Sequence, residues 1–258
     1  MARIPDAVAT EIKKKALGHN SLGCKLEIIN ETKLDWAYPS YDVCLKSLAN
    51  PEGRRLKTYR HKVRQFYKRY NQGMEFISPG ALDQNELRSA IRQVNVSWVQ
   101  TKLKSNNSPE ALGIPIADLI DPYEALPQLN SDFTLGIDGL ILKRGGAYVA
   151  FSFWERPRDG DIVPCITALP CSHEKGLSEY LYYCIAQRLR NDGYDSMCIG
   201  GSETVGLDQF KQKLNPIDIH RLRTIRLSRR DQRPSPLSVI RDKPPLRAEA
   251  KFAVPNKK

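Results

Sequence analysis

The segment FTLGIDGLILKRGGAYVAFSFWE (Phe133–Glu155) joins two runs rich in β-branched, aliphatic and aromatic residues through Gly145-Gly146. Paired glycines between apolar runs are a strong hairpin signal, because tight hairpin turns need positive φ. Outward from this hairpin, IVPCITAL (Ile162–Leu169) predicts a third strand. Ser172-His173-Glu174-Lys175-Gly176 then leads into a helix whose Leu177, Tyr180, Leu181, Cys184, Ile185 and Leu189 share one face, and Asn191-Asp192-Gly193 ends it. YDSMCI predicts a fourth strand running into Gly200-Gly201, a short helix carries Leu207, Phe210 and Leu214, and a last strand spans roughly Asp218–Arg226. The order β-β-β-loop-α-β-loop-α-β is an antiparallel run with one helical crossover, an α/β fold.

Upstream, CKLEIIN (Cys24–Asn30) reads as a strand, followed by an irregular aromatic-bearing stretch through Trp36, Tyr38 and Tyr41. A dense basic helix is predicted near Arg54–Tyr70. Tyr59, Val63, Phe66 and Tyr70 recur at intervals of four, three and four, so they form one buried face. The other face carries Arg54, Arg55, Lys57, Arg60, Lys62, Arg64, Lys68 and Arg69. It reads either as a solvated charge run or as a face that meets phosphates of lipid head groups or RNA. A second helix follows, with Asp83 and Glu86 spaced as a capping box and Leu87, Ile91, Val94 and Trp98 as its stripe. Lys104–Pro109 reads as a loop, and IADLIDPYEALPQL as short helical pieces broken by Pro122 and Pro127.

The pattern changes near Asp132, dividing the chain into an N-terminal half (1–131), a C-terminal core (132–228) and a basic tail (229–258). Apolar residues make up 41% of the 258 and charged residues 27%, which fits a soluble globular protein and excludes collagenous or wholly disordered classes. Of the net charge of +11, residues 221–258 hold 12 basic against 3 acidic residues, so the expected flexible tail does most of the attracting. No stretch reaches the roughly 20 apolar residues needed to span a bilayer. MARIPDAVATEIKKK has no apolar core of a secretory signal, and the six cysteines form no Cys-x-x-Cys pair. A cytoplasmic location with reduced thiols is expected, with membrane contact only at the periphery.

The hairpin, third strand, turn and amphipathic helix resemble the core of the GNAT acyltransferase fold. GRRLKTYRHKVRQFYKRY (Gly53–Tyr70), the strand AYVAFSFWE and the segment IGGSETVGLDQFKQKLNP (Ile199–Pro216) are similar to signals in the C-terminal domain of phosphatidylglycerol lysyltransferases, the DUF2156 type. The last segment also resembles FemAB-type peptidoglycan aminoacyltransferases. The resemblance covers roughly residues 24–226 in the right order. It implies a mixed, mostly antiparallel sheet with flanking helices, in a tandem or split GNAT arrangement whose N-terminal half is a degenerate unit. It further implies transfer of an aminoacyl group from aminoacyl-tRNA to an amine or hydroxyl acceptor, with no cofactor required. Nothing here matches the membrane-embedded half of lipid-modifying members. The acetyl-CoA signature Arg/Gln-x-x-Gly-x-Gly/Ala is unmatched, since His173-Glu174-Lys175-Gly176-Leu177-Ser178 has a single glycine, and Ser202-Glu203-Thr204-Val205-Gly206 stands where an Asp-Leu-Gly segment is expected. Two alternatives stay open: an acyl-CoA-dependent N-acyltransferase, and a non-catalytic scaffold that binds RNA or an anionic membrane.

Lys175, Gly176 and Leu177 lie at a helix N-terminus, where free N–H groups and the helix dipole attract phosphate, so they are donor-binding candidates with Gly200, Gly201 and Ser202. Equally, each glycine marks an ordinary turn. Glu203 is a candidate general base or acceptor-orienting carboxylate, or with Thr204 part of a helix cap. Lys213 matches the near-terminal lysine of the lysyltransferase segment, flanked by Lys211, and a cation there suits a tRNA phosphate or a developing oxyanion. His173 is a candidate proton shuttle. No metal site is expected, because His19, His61, His173 and His220 lie far apart in sequence.

Overall fold

The computed structural model describes residues 2–5, 26–32, 39–70, 72–103, 136–157, 162–172, 174–202, 205–220 and 222–229. In chain order these form β1 (Ala2–Pro5), β2 (Leu26–Thr32), β3 (Ser40–Cys44), α1 (Leu45–Ala49), α2 (Lys57–Tyr70), β4 (Met74–Ile77) and α3 (Gln84–Leu103). They continue as β5 (Ile137–Arg144), β6 (Ala147–Glu155), β7 (Ile162–Pro170), α4 (Leu177–Asn191), β8 (Ser196–Cys198), α5 (Val205–Gln212), β9 (Asp218–His220) and β10 (Leu222–Arg229).

A seven-stranded sheet of order β4-β5-β6-β7-β8-β3-β9 organises the molecule, and a smaller sheet has the order β1-β10-β2. Every pair in the large sheet is antiparallel except β7 with β8, which α4 joins as a crossover. This is the mixed, mostly antiparallel sheet that the family resemblance implied. Strands from 40–77 and from 137–220 share the one sheet, so the boundary drawn at 131–132 falls between segments that pair with each other.

The hairpin forms as its composition requires. Gly145 and Gly146 take φ of +55° and +82°, the positive values of a two-residue turn that matches strand twist. Six successive residues of β5, Ile137–Leu142, are buried, because both faces of the sheet are covered. Along β6, Phe151 and Phe153 face α3, whose Leu87, Ile91 and Val94 form that side of the core. Ala150 and Trp154 alternate to the other side, against the larger core built by α4 and by Tyr59, Val63 and Phe66 of α2.

Asp83 caps α3: its Oδ1 accepts from the backbone N–H groups of Asn85 and Glu86, both at 2.8 Å. Asp83→Ala is expected to cost about 1 kcal/mol, seen as a lower urea midpoint with an unchanged slope.

The structure corrects several sequence expectations. The predicted Cys24–Asn30 strand runs Leu26–Thr32. Tyr41 belongs to β3 rather than to an irregular stretch, and the short strands β3 and β4 were not foreseen. α2 begins at Lys57, after a turn over residues 53–56. The single strand expected over Asp218–Arg226 is divided: β9 pairs with β3 in the large sheet, and β10 pairs with β1 and β2 in the small one. The loop and helical pieces expected between Lys104 and Leu129, and the tail after Arg229, lie outside the described residues.

Candidate active site

β7 and β8 are paired only over Ile162–Pro164 with Ser196–Cys198. Beyond that point β7 continues to Pro170 against β6 alone, while the chain after Cys198 departs through Ile199–Ser202. The sheet therefore splits between its two parallel strands. One side of the split is a strand edge whose peptide groups are available to an extended ligand, since no strand among the described residues pairs with it.

Lys211 of α5 reaches the chain that leaves β8 at the split. It is 5% exposed, and its Nζ donates to the carbonyl oxygens of Gly200 (3.1 Å) and Gly201. The helix that carries it is held by β3 and by α4. Asp208 accepts from the Tyr41 hydroxyl at 2.7 Å and from Gln212 Nε2 at 2.8 Å, and the Phe210 ring packs 5.6 Å from that of Tyr182 on α4. Burial, then the bond to Asp208, raises the Tyr41 phenol above its ordinary value, so it remains a donor. Across the split, loss of hydration pushes the Cys165 thiol up to about 11, opposed by its hydrogen bond to Ser152 and by the charge of Lys211. Cys165 is thus a neutral thiol near pH 7 and no nucleophile. Ser202 is buried beside this ammonium's carbonyl partners, and its Oγ has no hydrogen-bond partner among the described residues. A buried cation and a spare hydroxyl at the opening of a split sheet are suited to stabilising negative charge that develops on a carbonyl oxygen.

The turn into α4 is locked rather than open. Glu174 accepts twice from Arg144 Nη1 (3.2 and 3.0 Å), and that guanidinium stacks 4.4 Å from the Tyr70 ring centroid. Gly176 has φ of +92°, and a Cβ there would lie 2.8 Å from the Lys62 carbonyl oxygen of α2. The glycine thus admits the backbone of the basic helix. Lys62 Nζ meets Glu179 Oε1 at 2.5 Å, and the Phe66 and Tyr180 rings lie 5.0 Å apart, so α2 and α4 are one packed unit.

The predicted site residues separate accordingly. Gly200, Gly201 and Ser202 lie at the split. Lys175 is exposed, whereas the Leu177 side chain is in the core and its N–H donates to the Glu174 carbonyl at 3.0 Å. Lys213 is exposed just past α5. Arg54, Arg55, Lys57, Arg64, Lys68 and Arg69 are exposed and meet no carboxylate among the described residues. Lys62 is ion-paired, and Arg60 donates to the carbonyls of Pro51 (3.1 Å) and Gly53 (3.2 Å). His173 and Glu203 lie outside the described residues. The residue underweighted in sequence is Lys211. It follows Leu207 by four and precedes Leu214 by three, so helical spacing places it, and not Lys213, on the apolar face.

The fold agrees with solved structures. The crystal structure of a conserved protein of unknown function from Bacteroides thetaiotaomicron aligns with a TM-score of 0.60 at 17% identity, over 87% of this chain and 68% of that one. The "C-terminal Domain (DUF2156) of Putative Lysylphosphatidylglycerol Synthetase from Agrobacterium fabrum" aligns with a TM-score of 0.51 at 15% identity, over 86% of this chain and 65% of that one. The chain therefore has the fold of the DUF2156 type, and it spans about two thirds of the length of each neighbour. No family model and no curated protein matches it. Among the described residues no helix is long and apolar enough to cross a membrane.

Proposed function

We propose that the protein is an aminoacyltransferase that takes its acyl group from aminoacyl-tRNA and passes it to an amine or hydroxyl acceptor. The observation that carries this reading is the buried Lys211 ammonium at the opening of the split between β7 and β8. In the reaction, the acceptor's nitrogen or oxygen attacks the ester carbonyl carbon. The bond from that carbon to the ribose oxygen breaks, and the acceptor's proton ends on the ribose hydroxyl. Lys211 and Ser202 would face the oxyanion formed between these steps. Glu203 and His173 are the proposed carriers of the proton, and Lys213 a further phosphate ligand.

The choice of a tRNA donor rests on α2. Its exposed cations follow one side of a helix packed on the turn into α4, so a bound acceptor stem would place its 3′ end toward the split. The first turn of α2 contains no acidic residue, and a cleft of about 350 Å³ beside its start is lined by the cations Lys46, Arg54 and Arg55 against one carboxylate, Glu52, which accepts from Asn50 Nδ2 at 3.0 Å. Cations at a helix N-terminus reinforce rather than offset the dipole's positive end and so favour an anionic partner. The fold neighbour bearing a lysylphosphatidylglycerol synthetase name agrees with this class of chemistry.

The test pairs binding with turnover. Fluorescence anisotropy should show tRNA bound with a steep salt dependence. Lys57→Glu/Arg64→Glu/Lys68→Glu should flatten the slope by about 0.7–0.9 for each phosphate no longer neutralised. Charged tRNA incubated with the protein and pooled amine, peptide and lipid acceptors should lose its aminoacyl group in an acceptor-dependent way. Discharge of an acyl-CoA instead would reassign the donor, and binding without discharge of either would establish a non-catalytic RNA-binding protein.

A further inference from the structure

β3 lies between β8 and β9 and runs antiparallel to both. Asp42 stands opposite Cys198 on one side and Asp218 on the other, and Ser40 stands opposite His220. Directly paired residues project from the same face of a sheet, so these side chains gather on one surface. His220 Nε2 lies 2.6 Å from Asp42 Oδ2 and 3.7 Å from Asp218 Oδ2, and one donor atom from each of the three residues lies within 4.8 Å of the others. Asp42 is only 3% exposed, yet its Oδ1 has no hydrogen-bond partner among the described residues. The buried Asp138 offers a contrast: Arg156 Nη2 lies 2.6 Å from its Oδ2, and the Gly139 N–H donates to its Oδ1 at 2.7 Å. A buried carboxylate with a spare oxygen, a second carboxylate and an imidazole converging on one point form a donor set in search of a cation.

We propose that Asp42, Asp218 and His220 form a divalent-metal site of the zinc class that ties β9 to β3. One imidazole nitrogen with carboxylate oxygens suits zinc and related transition ions, whereas calcium and magnesium favour all-oxygen shells. Asp42 and His220 are held by the β3–β9 pairing, and Asp218, 65% exposed, accepts from the Ile219 N–H through Oδ1 at 2.7 Å and turns its other oxygen, Oδ2, toward His220. Three protein ligands leave a fourth position to water. Cys198 interacts with both Ser40, its Sγ lying 3.0 Å from the hydroxyl oxygen, and the Asp42 side chain, and it lies outside the three-residue cluster whose donor atoms converge. Sequence spacing could not reveal this cluster, because Asp42 is far along the chain from the other two ligands.

The full-length protein is dialysed against Zn2+, freed of excess by gel filtration, and its metal counted by plasma mass spectrometry alongside a thermal melt. About one ion per chain and a raised melting midpoint are expected for the wild type. His220→Ala and Asp218→Asn should each weaken binding at least about tenfold, with circular dichroism unchanged. Asp42 is left native because its replacement disturbs the sheet interior. Co2+ in place of Zn2+ should give a visible spectrum without a thiolate charge-transfer band. No retained ion, retention undiminished in both variants, or a thiolate band would each overturn the site, the second by placing the metal elsewhere and the third by assigning it to a cysteine.

Discussion

Lys211→Met is expected to lower the rate of acyl transfer by about 100- to 1000-fold, the loss that follows removal of one preorganised oxyanion donor. Methionine nearly matches the volume of the lysine stem, so packing of α5 against Tyr182 and β3 should survive while the ammonium disappears. The price in stability includes the Gly200 and Gly201 carbonyls, which lose a charged donor at 3.1 Å in the first case. A group that acts on the developing charge affects kcat with little change in KM, whereas one that merely shapes the loop shifts both. Lys211→Arg keeps the charge but replaces the compact ammonium by a larger planar guanidinium, and should retain part of the rate. If Lys213→Met loses the activity and Lys211→Met does not, the exposed lysine beyond α5 is the chemical participant and the buried one is structural.

Gly176→Ala is expected to destabilise the fold by about 2–4 kcal/mol, combining left-handed strain of about 1–2 kcal/mol with overpacking. At φ of +92° an alanine Cβ would sit 2.8 Å from the Lys62 carbonyl oxygen and 3.2 Å from Phe66 Cβ. Neither neighbour is the free end of a flexible chain: one is the backbone of α2 and the other begins a ring packed on Tyr180. The strain must be relieved by moving α2 away from the turn. A thermal midpoint lower by roughly 10 °C is the expected reading. An unchanged midpoint would mean that the glycine serves close approach of a ligand rather than close approach of the helix.

Much of the architecture was legible because it rests on short-range chemistry. The β5–β6 turn needed two residues at positive φ, and Gly145-Gly146 supply them. The four-three-four spacing in α2 identified a buried face, and Tyr59, Val63 and Phe66 are buried. Asp83 is the cap its spacing announced. β3 was not legible for the opposite reason. SYDVC is five residues containing an aspartate and a cysteine, and only pairing with β8 on one side and β9 on the other makes it a central strand. The division of the last predicted strand between two sheets has the same origin, since both of its halves are extended and only their partners differ.

The sequence by itself determined the β5–β6 hairpin, β7, α4, β8 and α5 of the C-terminal core and their order, because periodicity and turn chemistry are local. The tertiary structure alone decided which lysine is buried at the split, which cations of α2 are already paired or bonded, and what fills the space beside Gly176. It also brought Asp42 to Asp218 and His220. Those outcomes depend on packing between elements far apart along the chain, and no spacing within one element encodes them.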